Sequence, residues 1–291
     1  MRFAYLIIAH GNFELLKELI KALDCPENDI YIHLDSKCGV IDKTLFEKTL
    51  EYSKIFFIDK RISGEWGRVS MLKIVFNLLE KSLQGKYDYY HLISGQDFPI
   101  KGNQYIQNFF ENNNGKEFIH ISSFFDEHEI MYRVGYRHLI NGNLVNKYKF
   151  WGYFNKILVH TQRLLHIRYV SSVKGFRGGA AWFSITHNFA MELFSNREEM
   201  LNLYKYTCIP DEIYLQTFVS QHHYEYKLYK EEDMFSNCRL IVFKNHNKNP
   251  YVWKAQDFDE LMKSSCLWAR KFSEKDMNLI HRIAKRISNN N

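Results

Sequence analysis

Phe3-Ala4-Tyr5-Leu6-Ile7-Ile8-Ala9, followed by His10-Gly11-Asn12, is the stretch on which the fold class turns. An unbroken apolar run of this length is far short of the ~20 residues of a membrane span. It predicts a strand buried on both faces. His10-Gly11-Asn12 is the turn, and Asn12 is placed to cap a helix whose apolar stripe is Leu15, Leu16, Leu19, Ile20 and Leu23. Moving outward, Ile30–Leu34 predicts a second strand that ends in Asp35-Ser36-Lys37, and Ile55–Ile58 a short third one. Gly64–Gly67 reads as a loop before a helix carrying Leu72, Val75, Leu79 and Leu83, and Tyr89–Ser94 as another buried strand. Strands alternating with helices predict an α/β fold with a mixed, mostly parallel central sheet. Such sheets take ligands beyond the carboxyl ends of their strands. His10, Asp35, Gly64–Gly67 and Ser94–Pro99 are therefore the first places to look for chemistry.

The second half is patterned less evenly. Phe118–Ser122, Ala181–Ile185, Tyr224–Tyr229 and Arg239–Phe243 read as strands, and Asp211–Ser220, Asp257–Lys263 and Glu274–Ile287 as helices. No composition break or Pro/Gly-rich linker separates the halves, which predicts a single domain over residues 1–291.

Composition removes several function classes. Lys and Arg exceed Asp and Glu by 39 − 33 = 6 among 291 residues. With no long basic run, that excess suits an anionic small molecule or surface and argues against nucleic acid. The five cysteines show no C-x-x-C spacing, which predicts reduced structural thiols, with neither a disulfide scaffold nor a zinc site. No signal-peptide pattern or membrane span is visible, so the expected location is the cytoplasm. No G-x-G-x-x-G follows the first strand and there is no Walker lysine loop, which speaks against dinucleotide and P-loop enzymes. The aromatic share is 16%, a surplus divided between core packing and any ring-shaped ligand.

Several polar groups have two readings each. Asp35 and Asp97 either hold ligand hydroxyls or close the turns they sit in. Pro210-Asp211-Glu212 is either an ordinary helix first turn or a pocket-facing carboxylate that acts as a general base. Arg239 and Arg270-Lys271 are surface charges or the cations that receive an anion. Asp257-Phe258-Asp259 has a spacing that can hold a divalent cation, but it precedes an apolar periodic segment and reads as a helix start. Asp126-Glu127-His128-Glu129 reads as a solvated acidic loop. Lys147 to Arg168 interleaves Lys147, Lys149, Lys156, Arg163 and Arg168 with Phe150, Trp151, Tyr153 and Phe154. That is an ordinary amphipathic helix or a peripheral contact with anionic lipid.

Taken in order, the segments Ala4–His10, Tyr31–Lys37, Trp66-Gly67 with Ser70, Leu92–Pro99, Ala181–Ile185, Pro210-Asp211-Glu212 and Ala269–Phe272 resemble one known family. It is the Core-2/I-branching N-acetylglucosaminyltransferase family (glycosyltransferase family 14), which includes the peptide xylosyltransferases. The likeness runs from Arg2 to Phe272 and is to a compact bacterial-type member. It implies a GT-A-like nucleotide-sugar-binding fold, with residues 1–125 on the UDP-sugar side and 126–291 on the acceptor and catalytic side. It also implies an inverting transfer from a UDP-sugar, N-acetylglucosamine or xylose, to a glycan or lipid-linked glycan, with no cofactor and no metal. Matched motif by motif, Glu212 is similar to the catalytic base and Asp35 to the aspartate that holds uridine. Arg239 and Lys271 match the diphosphate cations, and Arg133 and Arg137 fall on the acceptor side. His10, Trp66, Asp97, Trp182 and Asp211 would line the donor or acceptor pocket. The rival reading is a non-catalytic glycan- or membrane-binding protein that keeps the fold.

Overall fold

The structure is a computed structural model that describes residues 1–139, 142, 148–230, 234–244 and 249–288. Lys147 of the basic segment lies outside them, and of Lys149 only the backbone is described. The apolar run at the N-terminus is strand β1 (Phe3–Ala9), buried at every residue. Its side chains alternate between two cores. Phe3, Tyr5, Ile7 and Ala9 enter one, and Ala4, Leu6 and Ile8 the other. A strand that feeds two cores has no polar positions, which is why it reads as a continuous apolar stretch.

β2 (Asn28–Leu34), β3 (Lys54–Phe57), β4 (Tyr89–Ser94) and β6 (Ser184–Thr186) complete the sheet with β1; β5 (Asp97–Pro99) belongs to a second sheet. Among the described residues the order is β3-β2-β1-β4-β6. Neighbours are parallel except β4 and β6. The expected mixed, mostly parallel α/β sheet is what the chain forms. Helix α1 (Phe13–Ala22) covers one face through Leu15, Leu16, Leu19 and Ile20, all fully buried. Each such side chain contributes about 1.5–3 kcal/mol. After α2 (Thr44–Glu47), α3 (Ser70–Ser82) covers the opposite face with Leu72, Ile74, Val75, Leu78 and Leu79. Helices α4 (Asn103–Asn112), α5 (Glu127–Val134) and α6 (Lys149–Leu164) follow.

β5 lies directly after the β4 turn. It pairs with β8 (Trp268–Arg270), which is flanked by β7 (Arg239–Ile241). Asp97 is thereby the direct cross-strand neighbour of Arg270. Both sheets combine strands from the two halves of the chain.

Four local expectations are corrected. Asn12 does not cap α1 with its side chain; its Oδ1 accepts a hydrogen bond from the Glu274 amide instead. Phe118–Ser122 forms a single bridge, Phe118 to Ser184, because the chain bends away toward the residue 178–180 segment, where Ser122 N bonds Gly178 O. Tyr224–Tyr229 is a 3₁₀ turn at Glu225–Lys227, with Leu228 bridged to Glu117. Asp126 is no loop acid: its carboxylate accepts from Glu129 N and caps α5. None of the five cysteines, all among the described residues, is in a disulfide. Most large rings are core. Phe3, Tyr5, Tyr89, Phe110 and Trp268 are fully buried around His91, and burial holds its imidazole well below the ordinary pKa.

Candidate active site

The carboxyl ends of β1, β2, β4 and β8 bring four of the expected residues together. Asp35, just past β2, is buried. Its Oδ1 accepts from Lys37 N at 2.8 Å and its Oδ2 from Gly64 N at 2.8 Å. Lys37 Nζ donates to Gly64 O at 2.7 Å. A Cβ at position 64 would meet Asp35 Oδ2 at 3.1 Å and Ile74 Cδ1 at 3.0 Å, so any larger residue there would push these side chains by a few tenths of an ångström. Asp35 therefore closes its own turn and pins the Gly64 loop, and a carboxylate's remaining lone pairs stay available to a ligand.

His10, just past β1, reaches solvent, yet its pKa lies below the ordinary value. Desolvation is the first cause and the Lys271 charge the second; Asp35 opposes, and Arg270 and Lys37 add to the lowering. His10 thus senses a ring of cations. Lys271 is half-buried and its pKa is also lowered, by burial first and then by Arg270, against Asp97. Arg270 donates to Asp97 Oδ1 at 2.7 Å and to Ser94 Oγ, and its guanidinium lies 4.6 Å from the Trp182 ring centroid. Asp97 also accepts from Ser94 N at 2.8 Å and Ser94 Oγ at 3.0 Å. It is a turn closure and an Arg270 partner in one.

Glu212 ends a 3₁₀ turn, Pro210–Glu212, ahead of the helix Tyr214–Gln221. Its Oε2 accepts from Arg133 Nη1 at 2.8 Å. Arg133 in turn holds Glu129 Oε1 at 2.6 Å, one helical turn away on α5, and covers the Phe125 ring at 4.7 Å. Glu129 is the residue that sequence reasoning missed; its signal was the four-residue spacing to Arg133 on a capped helix. Arg133 is buried and fixes the carboxylate from behind. Arg137 is not on Glu212; its guanidinium rests 5.3 Å from the rings of Tyr169 and Tyr206.

Asp211 is half-buried as a residue, but its Oδ1 is shut off from solvent and has no hydrogen-bond partner among the described residues. Burial first, and the neighbouring Glu212 charge second, push its pKa up to about 7. A carboxyl raised in this way favours the fold when protonated. Its contribution is whole below the ordinary value near 4 and is lost as pH rises through about 7. Asp211→Asn should therefore shrink the fall in Tm between pH 5 and pH 8, at roughly 2–4 °C per kcal/mol removed. Melting curves across that range check this, and parallel curves for variant and parent would contradict it.

Two segments join Glu212 to the cation ring. Gly179 N donates to Glu212 O at 2.9 Å, and Trp182 packs on Arg270. Three Cα steps separate them, at most ~11 Å. The loop from Gly64 to Gly67 makes the second link, since Gly64 is held by Asp35 while Gly67 O accepts from Ile209 N, next to Pro210. Gly67 adopts φ +79°, a conformation that favours glycine. Trp66, on that loop, is 54% exposed and so has a face open to a ligand.

Arg239 is enclosed, unlike Arg270 and Lys271. It is 3% exposed. Its guanidinium donates to the carbonyls of Asn237, Phe183 and Leu92 and to Ser184 Oγ, and lies 4.9 Å from the Trp268 ring centroid. It ties β4, the approach to β6 and β7 together. The arginine beside Lys271 is Arg270. Asp257 starts a helix turn as expected, with its Oδ2 accepting from Lys254 N and Tyr251 Oη.

Residues 3–260 match the sequence profile described as Core-2/I-Branching enzyme. The chain is 23% identical over 296 residues to xylosyltransferase 2 of Bos taurus, covering 94% of this chain and 32% of that protein. To xylosyltransferase oxt of Drosophila pseudoobscura pseudoobscura it is 30% identical over 122 residues, 41% of this chain and 14% of that protein. The chain thus spans about a third or less of the length of these relatives. Among solved structures, mouse xyloside xylosyltransferase 1 in its apo form aligns with a TM-score of 0.40 at 10% identity, over 92% of this chain and 96% of that one. The profile takes in β1, Asp35, the Gly64 loop, the Asp97 turn and Glu212 in a single alignment, and on that ground the chain belongs to the Core-2/I-branching enzyme family.

Proposed function

We propose that this chain is an inverting glycosyltransferase that moves a sugar from a UDP-sugar to a hydroxyl of a glycan without a metal ion. One observation carries the reading. Glu212, braced by Arg133, is tied to the cation pair Arg270 and Lys271 by the short segment from Gly179, whose N–H bonds the Glu212 carbonyl, to Trp182, which packs on Arg270.

In an inverting transfer the acceptor oxygen attacks the anomeric carbon as the UDP oxygen leaves. Glu212 takes the acceptor proton as the new bond forms. Arg133 holds its carboxylate in one orientation, which spares that ordering at the moment of reaction. Charge grows on the departing diphosphate. Lys271 and Arg270 answer it, Lys271 as a point charge and Arg270 as a planar donor already set by Asp97. A half-buried lysine beside another cation is an unfavourable arrangement until an anion arrives, which makes the pair a receptor for diphosphate. Asp35 and the Gly64 loop border the place for the nucleoside, and Trp66 and Trp182 offer rings to it or to the sugar.

The proposed donor is UDP-N-acetylglucosamine. UDP-xylose is the second reading, motivated by the xylosyltransferases among the relatives. Measuring UDP release across a panel of UDP-sugars tests the activity. Turnover with one donor should persist in excess chelator. No release from any donor would remove the transferase reading, and loss in chelator with recovery on adding manganese would remove the metal-free one.

A further inference from the structure

Helix α6 is turned inside out. An α-helix rotates ~100° per residue, so Phe150, Tyr153, Phe154, Ile157 and Leu164 share one face, and Asn155, Val159 and Gln162 share the opposite one. In most surface helices the apolar face meets the protein. Here the polar residues do. Asn155 is buried and its Nδ2 lies 3.1 Å from His138 Nδ1. Gln162 accepts from Arg137 N at 2.9 Å and donates to Arg137 O at 3.0 Å. The apolar face looks out: Phe150 is 68% exposed, Tyr153 66%, Ile157 60% and Leu164 66%. Phe150, Trp151 and Phe154 meet at the surface, with Phe150 stacked on Phe154 and Trp151 edge-on to both, centroids 5.7–6.5 Å apart. Leu165 and Ile167 extend the patch past the end of the helix.

Charge decides what covers it. Lys156 and Arg163 fall along one edge of the apolar face and Arg168 lies just beyond it, all exposed. Residues 147–168 contain no Asp or Glu. A second copy laid on this face would set cation against cation. An anionic lipid surface answers both features at once, since rings and alkyl groups enter the headgroup boundary and the cations meet phosphates.

We propose that α6 is an interfacial docking helix that lays Phe150, Tyr153, Phe154, Ile157 and Leu164 into an anionic bilayer. Lys156, Arg163 and Arg168 then sit at headgroup level. The docking does not depend on the catalytic reading. If that reading also holds, the geometry suits a lipid-linked acceptor, because His138 joins α6 to the Tyr132 carbonyl, next to Arg133 and its partner Glu212.

Co-sedimentation of the full chain with vesicles of phosphatidylcholine, with and without phosphatidylglycerol, tests the proposal. The chain should pellet with the anionic vesicles and not with the neutral ones, less at high salt. The pair Phe150→Ser and Ile157→Ser, and separately the pair Lys156→Glu and Arg163→Glu, should each lower binding by roughly tenfold or more. Both variants should keep the parent Tm, since these side chains face away from the fold. Absence of binding to anionic vesicles, or binding that both variants retain, overturns the proposal. A concentration-dependent dimer in sedimentation velocity that Phe150→Ser with Ile157→Ser dissolves also overturns it and gives the face to a second copy.

Discussion

Glu212→Gln should lower turnover by ~10²–10⁴-fold while UDP binds as before. The amide keeps the shape of the side chain and can still accept from Arg133, so the bracing survives and only the proton acceptor is lost. On the proposed reading UDP is held by Lys271 and Arg270 instead, so its affinity should not change. Lys271→Ala should weaken UDP binding, and should lower turnover as well because the charge on the departing diphosphate loses a partner. It removes a charge-assisted contact from the diphosphate, and UDP affinity should fall roughly ten- to hundredfold. Calorimetry with UDP, run beside initial rates on both variants, separates the two roles. Unchanged turnover in Glu212→Gln removes it as the base, and parent-like UDP affinity in Lys271→Ala removes that residue from the diphosphate.

Arg239→Met should cost about 3 kcal/mol or more of stability, a fall in Tm of roughly 10 °C. The methionine fills part of the stem's space but donates nothing, and the guanidinium is what serves the carbonyls of Asn237, Phe183 and Leu92. Phe183 O keeps Leu92 N as a donor and Ser184 Oγ keeps His91, so the loss is concentrated on the Asn237 and Leu92 carbonyls. Whatever fraction folds should bind UDP as the parent does. A variant of parent stability with weakened UDP binding would return Arg239 to the diphosphate and undo the structural reading.

The first hundred residues were legible because their pattern is local. β1 announces itself as an apolar run, and α1 and α3 as stripes at helical spacing. The second half has strands of three residues, Ser184–Thr186, Arg239–Ile241 and Trp268–Arg270, whose partners lie far away in sequence. Three residues carry no period. Arg239 and Arg270 show the same limit at the site. Both are arginines flanking or ending a short strand, and only the tertiary position of Trp268 and the carbonyls says which is enclosed. Asp97 was readable both ways because it does serve its own turn and a distant cation at once. In α6 the spacing of apolar residues was visible, but periodicity says that two faces differ and not which one meets the protein.

The late position of β6 in the chain has a consequence for the order in which the molecule is made. β4 is complete at Ser94, with β1 on one side and the other side waiting for a strand that begins at Ser184. A ribosome adding about 5–20 residues per second needs on the order of 10 s to supply the intervening ~90 residues. Through that interval the nascent sheet carries an open flank at Tyr90 and His91, whose register partners Ile185 and Ser184 are not yet available. An unpaired strand of this kind is a template for a wrong neighbour. The mature sheet is closed by a late and very short strand, so the yield of native protein should be set by synthesis rate and by what shields that flank, more than by the final stability of the sheet.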